Sequence, residues 1–179
     1  MKGLVFTEFL EMVEGKFGYN TVDKIIENSQ LPSGGAYTSI GTYSHSEMVS
    51  LVVNLSKETE IPVPDLLKVF GEYLLKVLSK KYSHFFDGVN GTFDFLGNVD
   101  RYIHVEVKKI YPDAELPKFE ISKLSENKIE MIYGSDRKMA DLAEGLIIGA
   151  FNYFNEKAII TQQPVEESGK QVKFIIEKV

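Results

Sequence analysis

Apolar residues recur three or four positions apart through the first part of the chain, which predicts helices. The predicted helices cover Gly3–Phe17, Thr21–Asn28, a stretch from Ser44 or Ser46 to about Lys57, and a stretch that begins at Pro64. Gly18 is expected to end the first of them, and Gly88 and Gly91 interrupt the pattern later. A long helix that carries His104 is expected to follow these two glycines.

The pattern changes after Pro112. The segments "FEISKLS" and "KIEMIYG" alternate apolar and polar residues, as half-buried strands do. Residues Ser135 to Glu156 return to helical spacing, and the chain ends in a predicted hairpin of "AIITQQPV" and "QVKFIIEKV". Because helices come first and strands cluster late, we predict an α+β fold. It has a helical N-terminal part, then an antiparallel sheet of about four strands with one long inserted helix.

Composition narrows the class of protein. The 179 residues suffice for one core, so we expect residues 1–179 to form a single domain. The net charge of −6 argues against a nucleic-acid partner, since phosphate binding needs a basic surface. No apolar run is long enough for a membrane span, and the opening "MKGLVFTEFLEM" carries Glu8 and Glu11 where a signal peptide would be apolar. A cytoplasmic protein is expected.

The chain has no cysteine, which excludes disulfides, thiolate catalysis, iron–sulfur clusters and cysteine-based zinc sites. It has three histidines, which argues against a histidine-rich zinc site. His45 and His84 lie in polar, loop-like segments and are not expected to bind a ligand. A site with one protein ligand is compatible with this composition if a cofactor supplies the other ligands, as haem does.

His104 lies at the border of the apolar face of its predicted helix. That face is centred on Leu96 and includes Val99, Ile103, Val107 and Ile110. At about 100° per residue, His104 lies about 80° from Leu96, just outside the face. Its imidazole is then either a partly buried side chain bonded to a backbone carbonyl, or a metal ligand that reaches into a crevice between helices.

Three polar residues, Tyr133, Ser135 and Arg137, lie at the predicted junction between a strand and a helix. Arg137 offers a planar fork of donors that matches a carboxylate, and each hydroxyl donates one further hydrogen bond. Alternate residues of an extended backbone project to the same side, and a helix N-terminus favours anions. The residues either form a receptor for one or two carboxylates, or serve as a core-edge aromatic, a helix N-cap and a surface cation.

The motif Tyr-x-Ser-x-Arg at Tyr133–Arg137, which follows a helical histidine by about thirty residues, resembles the H-NOX (haem nitric oxide/oxygen binding) family. The segments "MKGLVFTEFLEMVEGKFG" and "VFGEYLLKVL" also match, as does Pro117, thirteen residues after His104, so the resemblance covers essentially the whole chain. It implies haem b buried between the helices and the sheet, with His104 as the ligand of the iron. It further implies that Tyr133, Ser135 and Arg137 hold the propionates and that Pro117 packs against the porphyrin.

The same resemblance implies which residues form the wall of the haem pocket and which gas binds there. The wall residues are Val5, Phe9, Leu74, Leu78, Leu142 and Leu146. Members that bind oxygen stably resemble one another in a distal tyrosine, where this chain has Leu142. Because bound O₂ needs a hydrogen-bond donor and NO needs far less help, we expect ferrous haem that binds NO, and CO more weakly, without a stable O₂ complex. Tyr73 would change this expectation if its hydroxyl reached the pocket.

The resemblance implies a gas sensor rather than an enzyme, in which NO breaks the bond between His104 and iron and frees the helix around it. We expect a monomer that signals to a separate protein, such as a histidine kinase or a cyclic-di-GMP enzyme. Three alternatives stay open: a haem enzyme such as a peroxidase, an O₂-binding protein or gas carrier or scavenger, and a haem-free interaction domain with His104 in its core. A peroxidase would need a polar acid–base pair above the iron, and neither remaining histidine falls on a distal helix.

Overall fold

Helices occupy the N-terminal part of the chain and strands its C-terminal part in a computed structural model that describes residues 1–179. The helices are α1 Gly3–Phe17, α2 Tyr19–Glu27, α3 His45–Thr59, α4 Val63–Lys81, α5 Thr92–Asn98, α6 His104–Ile110 and α7 Ala140–Tyr153. The strands are β1 Lys118–Lys123, β2 Lys128–Gly134, β3 Ala158–Pro164 and β4 Gln171–Lys178. The predicted α+β class is confirmed. None of the helices has both the length and the apolar composition that a membrane crossing requires.

Two helix boundaries follow from local signals in the sequence. α1 ends before Gly18, whose φ of 87° suits glycine and whose N–H donates to the carbonyl of Glu14. α3 begins after Ser44, whose Oγ accepts a hydrogen bond from the N–H of Ser46. Both boundaries agree with the prediction, whereas α2 begins at Tyr19, slightly earlier than predicted.

The four strands form one antiparallel sheet in the order β1-β2-β4-β3. On β2, Ile129, Met131 and Tyr133 are buried and alternate with partly exposed residues, as the period-two pattern predicts. Their partners on β4 are Ile176, Phe174 and Val172, which are also buried. These side chains belong to one apolar cluster with α7, so the inserted helix covers one face of the sheet.

The buried apolar side chains form two clusters. The N-terminal cluster consists of the buried apolar side chains of α1–α4, except Leu75, together with Met139. The C-terminal cluster consists of those of the sheet, α5 and α7, together with Leu75, Phe85 and Phe86. α4 and α7 cross closely between them: a Cβ added at Gly145 would lie 2.1 Å from the backbone oxygen of Lys68. Glycine therefore allows a helix approach that any side chain would prevent.

The predicted long helix around His104 is not continuous. α5 is followed by a π-helical turn at Val99–Ile103, and His104 is the first residue of α6. Because a π-helical turn holds one residue more than an α-helical turn, the residues after it are rotated back by about 100° relative to α5. His104 then lies about 20° from the direction of Leu96, instead of about 80° for a continuous helix. The turn therefore brings the imidazole onto the apolar face.

The last helix begins later than predicted: α7 starts at Ala140 and not at Ser135. Ser135 instead belongs to a turn, in which its Oγ accepts a hydrogen bond from the N–H of Arg137 at 3.2 Å. The hydroxyl of Tyr133 accepts a hydrogen bond from the N–H of Met139 at 3.1 Å, immediately before the helix. Ser135 is therefore not the N-cap of α7, and Arg137 precedes the helix.

Candidate functional site

A cavity of about 320 Å³ is enclosed by α4, the segment from α5 to α6, α7 and part of the sheet. This volume is in the range of small-molecule binding sites. Of the 30 residues that line the cavity, 24 are hydrophobic, so it suits a largely apolar ligand. His104, Tyr133, Ser135 and Arg137 are among the residues that line it. The fold therefore brings together the two groups of residues that the sequence analysis singled out separately.

His104 lines this cavity and is anchored by an acidic residue of the π-helical turn. Its Nδ1 lies 2.7 Å from Oδ1 of Asp100. The side chain is only 16% exposed. Burial lowers the pKa of His104 below its usual value, and Asp100 opposes part of that effect. The imidazole is therefore neutral at neutral pH and able to bind a metal ion through Nε2, the nitrogen that Asp100 does not contact.

A metal ion bound at His104 would not find a complete set of protein ligands around it. No group of three or more histidine, aspartate or glutamate side chains is arranged to hold a metal ion anywhere in the structure. The remaining ligands of such an ion would have to come from a cofactor, which agrees with the apolar lining of the cavity.

The Tyr133–Arg137 motif forms a polar corner of the same cavity. Tyr133 is 3% exposed and accepts the hydrogen bond from Met139, so its own hydroxyl proton remains available to a ligand. Nη2 of Arg137 lies 3.1 Å from Oε2 of Glu115, whose side chain is 87% exposed. Arg137 thus pairs with a carboxylate that is largely exposed to water, and such a pair contributes little stability.

Phe119 on β1 lies between the imidazole and the polar corner. The centroid of its ring is 5.8 Å from that of His104 and 5.8 Å from that of Tyr133. Phe119 and Tyr133 are also paired across β1 and β2. The sheet register therefore fixes Phe119 relative to Tyr133, and the ring of His104 packs beside Phe119.

The residues expected on the pocket wall divide into two groups. Leu78, Leu142, Leu146 and Pro117 line the cavity. Val5, Phe9 and Leu74 do not line it, and they pack in or against the N-terminal cluster instead. Helix phase explains the difference, since one step along α4 rotates the side chain by about 100°, and Leu75 takes the cavity side that was expected for Leu74. α1 lines the cavity only through Leu4 in its first turn.

Much of the cavity wall was not assigned from the sequence. The segment from α5 to α6 contributes Phe95, Leu96, Val99, Ile103, Val107 and Ile110, and α7 and β2 add Ala143, Ile147 and Met131. Most of the first group had been recognised as one apolar helix face centred on Leu96. The signal was therefore present in the sequence, because an apolar face that shares a helix with a candidate ligand is expected to line the site of that ligand.

Comparison with known proteins identifies the family to which this site belongs. A family model described as "Haem-NO-binding" matches residues 2–162. The chain belongs to this family, H-NOX. The Fe(II) unliganded H-NOX protein from K. algicida is 45% identical to it, with a TM-score of 0.95 over 100% of this chain and 97% of that one. The search of curated proteins found no match.

Other solved H-NOX structures share the fold in several ligation states. The H-NOX from Shewanella woodyi, in the Fe(II)CO state and bound to IWP-051, is 41% identical, with a TM-score of 0.85 over 100% of this chain and 95% of that one. The H-NOX protein from S. oneidensis in the Fe(II)NO state is 28% identical, with a TM-score of 0.91 over 100% of this chain and 99% of that one.

The residues present in this H-NOX chain fit a haem group. A porphyrin needs apolar walls, its iron needs a protein ligand, for which a neutral histidine is suitable, and its two acid groups need cationic or hydroxyl partners. The cavity offers each of these, and the pair between Arg137 and Glu115 shows that the polar corner accepts a carboxylate.

Proposed function

We propose that residues 1–179 of this H-NOX chain form a single sensor domain that binds haem b and responds to nitric oxide. His104 is the protein ligand of the iron. Tyr133, Ser135 and Arg137 hold the propionates, and Pro117 packs against the porphyrin. One observation carries the proposal: a single cavity is lined by a neutral imidazole, a corner that binds carboxylates and apolar walls.

When bound, ferrous haem would supply an iron atom that is held by His104, binds NO, and would be held less tightly by His104 once NO is bound. The protein converts a change at His104 into a movement of α6. Neither the π-helical turn nor α6 fully buries a residue, although Val99 and Ile103 pack against the C-terminal cluster, so this stretch can shift at a lower cost than a buried helix. The polar corner, by contrast, is tied to the sheet through the paired strand residue Tyr133. The haem would thus be attached to a mobile element through His104 and to a fixed one through the polar corner. The domain could then adopt two arrangements of α6, and NO would favour one of them.

The wall that α4 and α7 contribute favours NO over O₂. Leu75, Leu78, Leu142 and Leu146 line the cavity there, and none of them carries a hydrogen-bond donor. Bound O₂ acquires negative charge and needs such a donor, whereas NO does not. Tyr73 does not line the cavity, so its hydroxyl does not supply the donor.

Tyr82 is the feature that would favour the alternative function, an O₂-binding protein or gas carrier. It lines the cavity, and burial together with the neighbouring Tyr111 raises its pKa. Its ring centroid lies 6.0 Å from that of Phe85, which contacts Tyr102 of the π-helical turn. Tyr82 therefore belongs to the aromatic group beside the helix of His104, and we assign it no contact with the gas.

The output of the domain is proposed to be a protein interaction and not a reaction. The chain acts as a cytoplasmic monomer that binds NO, and CO more weakly, and signals to a separate protein such as a histidine kinase or a cyclic-di-GMP enzyme. The exposed outer side of α6 supports this arrangement, because the element that moves is also accessible to a partner.

The absorption spectrum of the reduced protein tests the proposal. The protein produced with a haem supply should show a Soret band that changes with NO and with CO but gives no persistent oxy spectrum in air. His104→Gly should remove most bound haem, and free imidazole should restore part of it. Tyr82→Phe should leave the behaviour in air unchanged. A colourless protein would contradict haem binding, and a stable oxy spectrum that Tyr82→Phe abolishes would favour the alternative.

A further inference from the structure

We infer that Asp100 is a positioning residue for His104: it fixes which imidazole nitrogen faces the cavity and ties the helix of His104 to β1. The inference rests on the proposed role of His104 as the ligand of the iron. Asp100 lies in the π-helical turn.

Both carboxylate oxygens of Asp100 have partners on different elements. Oδ1 lies 2.7 Å from Nδ1 of His104, and Oδ2 accepts a hydrogen bond from the backbone N–H of Phe119 at 3.3 Å. Phe119 is the second residue of β1, an edge strand. One side chain thus holds the imidazole and the start of the sheet at the same time.

The first contact selects the form of the imidazole. A carboxylate only accepts hydrogen bonds, so Nδ1 of His104 must carry the proton when the ring is neutral. Nε2 is then left with its lone pair, and it is the nitrogen on the side away from Asp100. A histidine held in this way is ready to bind a metal ion, and the carboxylate makes it a stronger electron donor.

The second contact connects the histidine to the polar corner. Phe119 pairs with Tyr133 across β1 and β2, and their ring centroids are 5.8 Å apart. Asp100 therefore links His104 to the strand pair that carries Tyr133. This gives a continuous path of direct contacts between the two groups that are proposed to hold the haem.

Only a carboxylate satisfies both contacts. In Asp100→Asn the single amide oxygen can accept from Phe119 or from His104, and the NH₂ group then faces either a ring nitrogen that must carry no proton or a second donor. Asp100→Asn keeps the shape of the side chain but either loses one of the two bonds or forces the proton of His104 onto Nε2. Asp100→Ala loses both.

Resonance Raman spectroscopy of the ferrous protein tests the first role. The frequency of the iron–histidine stretching band should fall in Asp100→Asn and Asp100→Ala, and the reduction potential should rise, because a carboxylate no longer strengthens the donor. Haem transfer to a scavenger protein should be about 10-fold faster in Asp100→Ala. Glu106→Gln is the matched control: it removes a carboxylate charge from the adjoining helix α6, but Glu106 pairs with Lys109. It should leave the stretching band unchanged.

Hydrogen exchange at the amide of Phe119 tests the second role without using the iron. Exchange should be faster in Asp100→Ala than in the unchanged protein, and Glu106→Gln should have no effect. An unchanged stretching band and potential in both Asp100 variants would overturn the inference while the bond between His104 and iron, and with it the proposed function, stands. An unchanged protein with no iron–histidine band at all would overturn the proposed function itself.

Discussion

α1 and the stretch 99–110 are both largely helical, yet they contribute to the structure in opposite ways. α1 buries six of its residues, including Phe6 and Phe9 at 0% exposure. The stretch 99–110, which carries His104, buries none. The inner side of α1 meets close-packed side chains, whereas the inner side of the stretch faces the cavity. The N-terminal cluster is thus a rigid support, whereas the His104 segment packs through partly buried side chains such as Val99 and Ile103 and otherwise borders the cavity.

Replacing one leucine by alanine in each region should give the largest difference in the free energy of unfolding. Leu55 is 0% exposed in the N-terminal cluster, so Leu55→Ala should lower the free energy of unfolding by about 2–5 kcal/mol. Leu146 lines the cavity, so Leu146→Ala enlarges an existing space and should cost less than about half as much in the haem-free protein. Urea denaturation measures both values, and equal losses would show that the two regions are equally well packed.

Haem binding should stabilise the looser region more than the rigid one. At a free haem concentration of 100 times the dissociation constant, the free energy of unfolding should rise by about 2.7 kcal/mol. Amide hydrogen exchange should slow most in the stretch 99–110 and least in α1, which lines the cavity only through Leu4. Equal slowing of exchange in both regions would contradict the conclusion that the His104 segment is the looser of the two.

Two glycine substitutions should change the free energy of unfolding by smaller amounts, and in opposite directions. Gly145→Ala places a Cβ 2.1 Å from the backbone oxygen of Lys68 and should lower the free energy of unfolding by about 1–3 kcal/mol. Gly97→Ala in α5 meets no atom within 4 Å and should raise it by up to about 1 kcal/mol. Thermal unfolding compares the two variants, and destabilisation by Gly97→Ala would show that α5 is more tightly constrained than its surroundings indicate.

The smallest expected effect concerns alkaline pH at the edge of the rigid region. Burial and a hydrogen bond to Glu47 raise the pKa of Tyr37 to about 12, from an ordinary value of 10.0. Between these two values the unfolded phenol loses its proton while the folded one keeps it, so stability falls as the pH rises. Tyr37→Phe should remove this component of the decline, and Tyr19→Phe, at a site that is 63% exposed, should not. Urea denaturation at several alkaline pH values measures the difference.

The parts of the fold that were predicted correctly depend on short-range signals. Gly18 ends α1 and Ser44 caps α3 through bonds to near neighbours, and the alternation of Ile129, Met131 and Tyr133 follows from strand geometry alone. The cavity wall depends on how neighbouring helices are rotated, which the sequence does not specify locally. This is why Leu75 lines the cavity where Leu74 was expected.

The turn after β2 shows a second limit of sequence reasoning. The apolar spacing continues back to Ser135, but the structure delays α7 until Ala140 because the hydroxyl of Tyr133 binds the N–H of Met139. Asp100 was overlooked for a similar reason. Its two partners, His104 and Phe119, are brought together only by the fold, although an acidic residue one turn before a candidate ligand was a usable hint.

Because of the π-helical turn at Val99–Ile103, the direction of the His104 side chain depends on how many residues this segment contains. Most substitutions there would leave the imidazole aimed as it is, but deleting one residue would restore regular α-helical geometry and swing His104 by about 100° around the axis of α5. Loss of a single codon in this segment would then redirect the side chain away from the cavity while keeping every functional side chain intact.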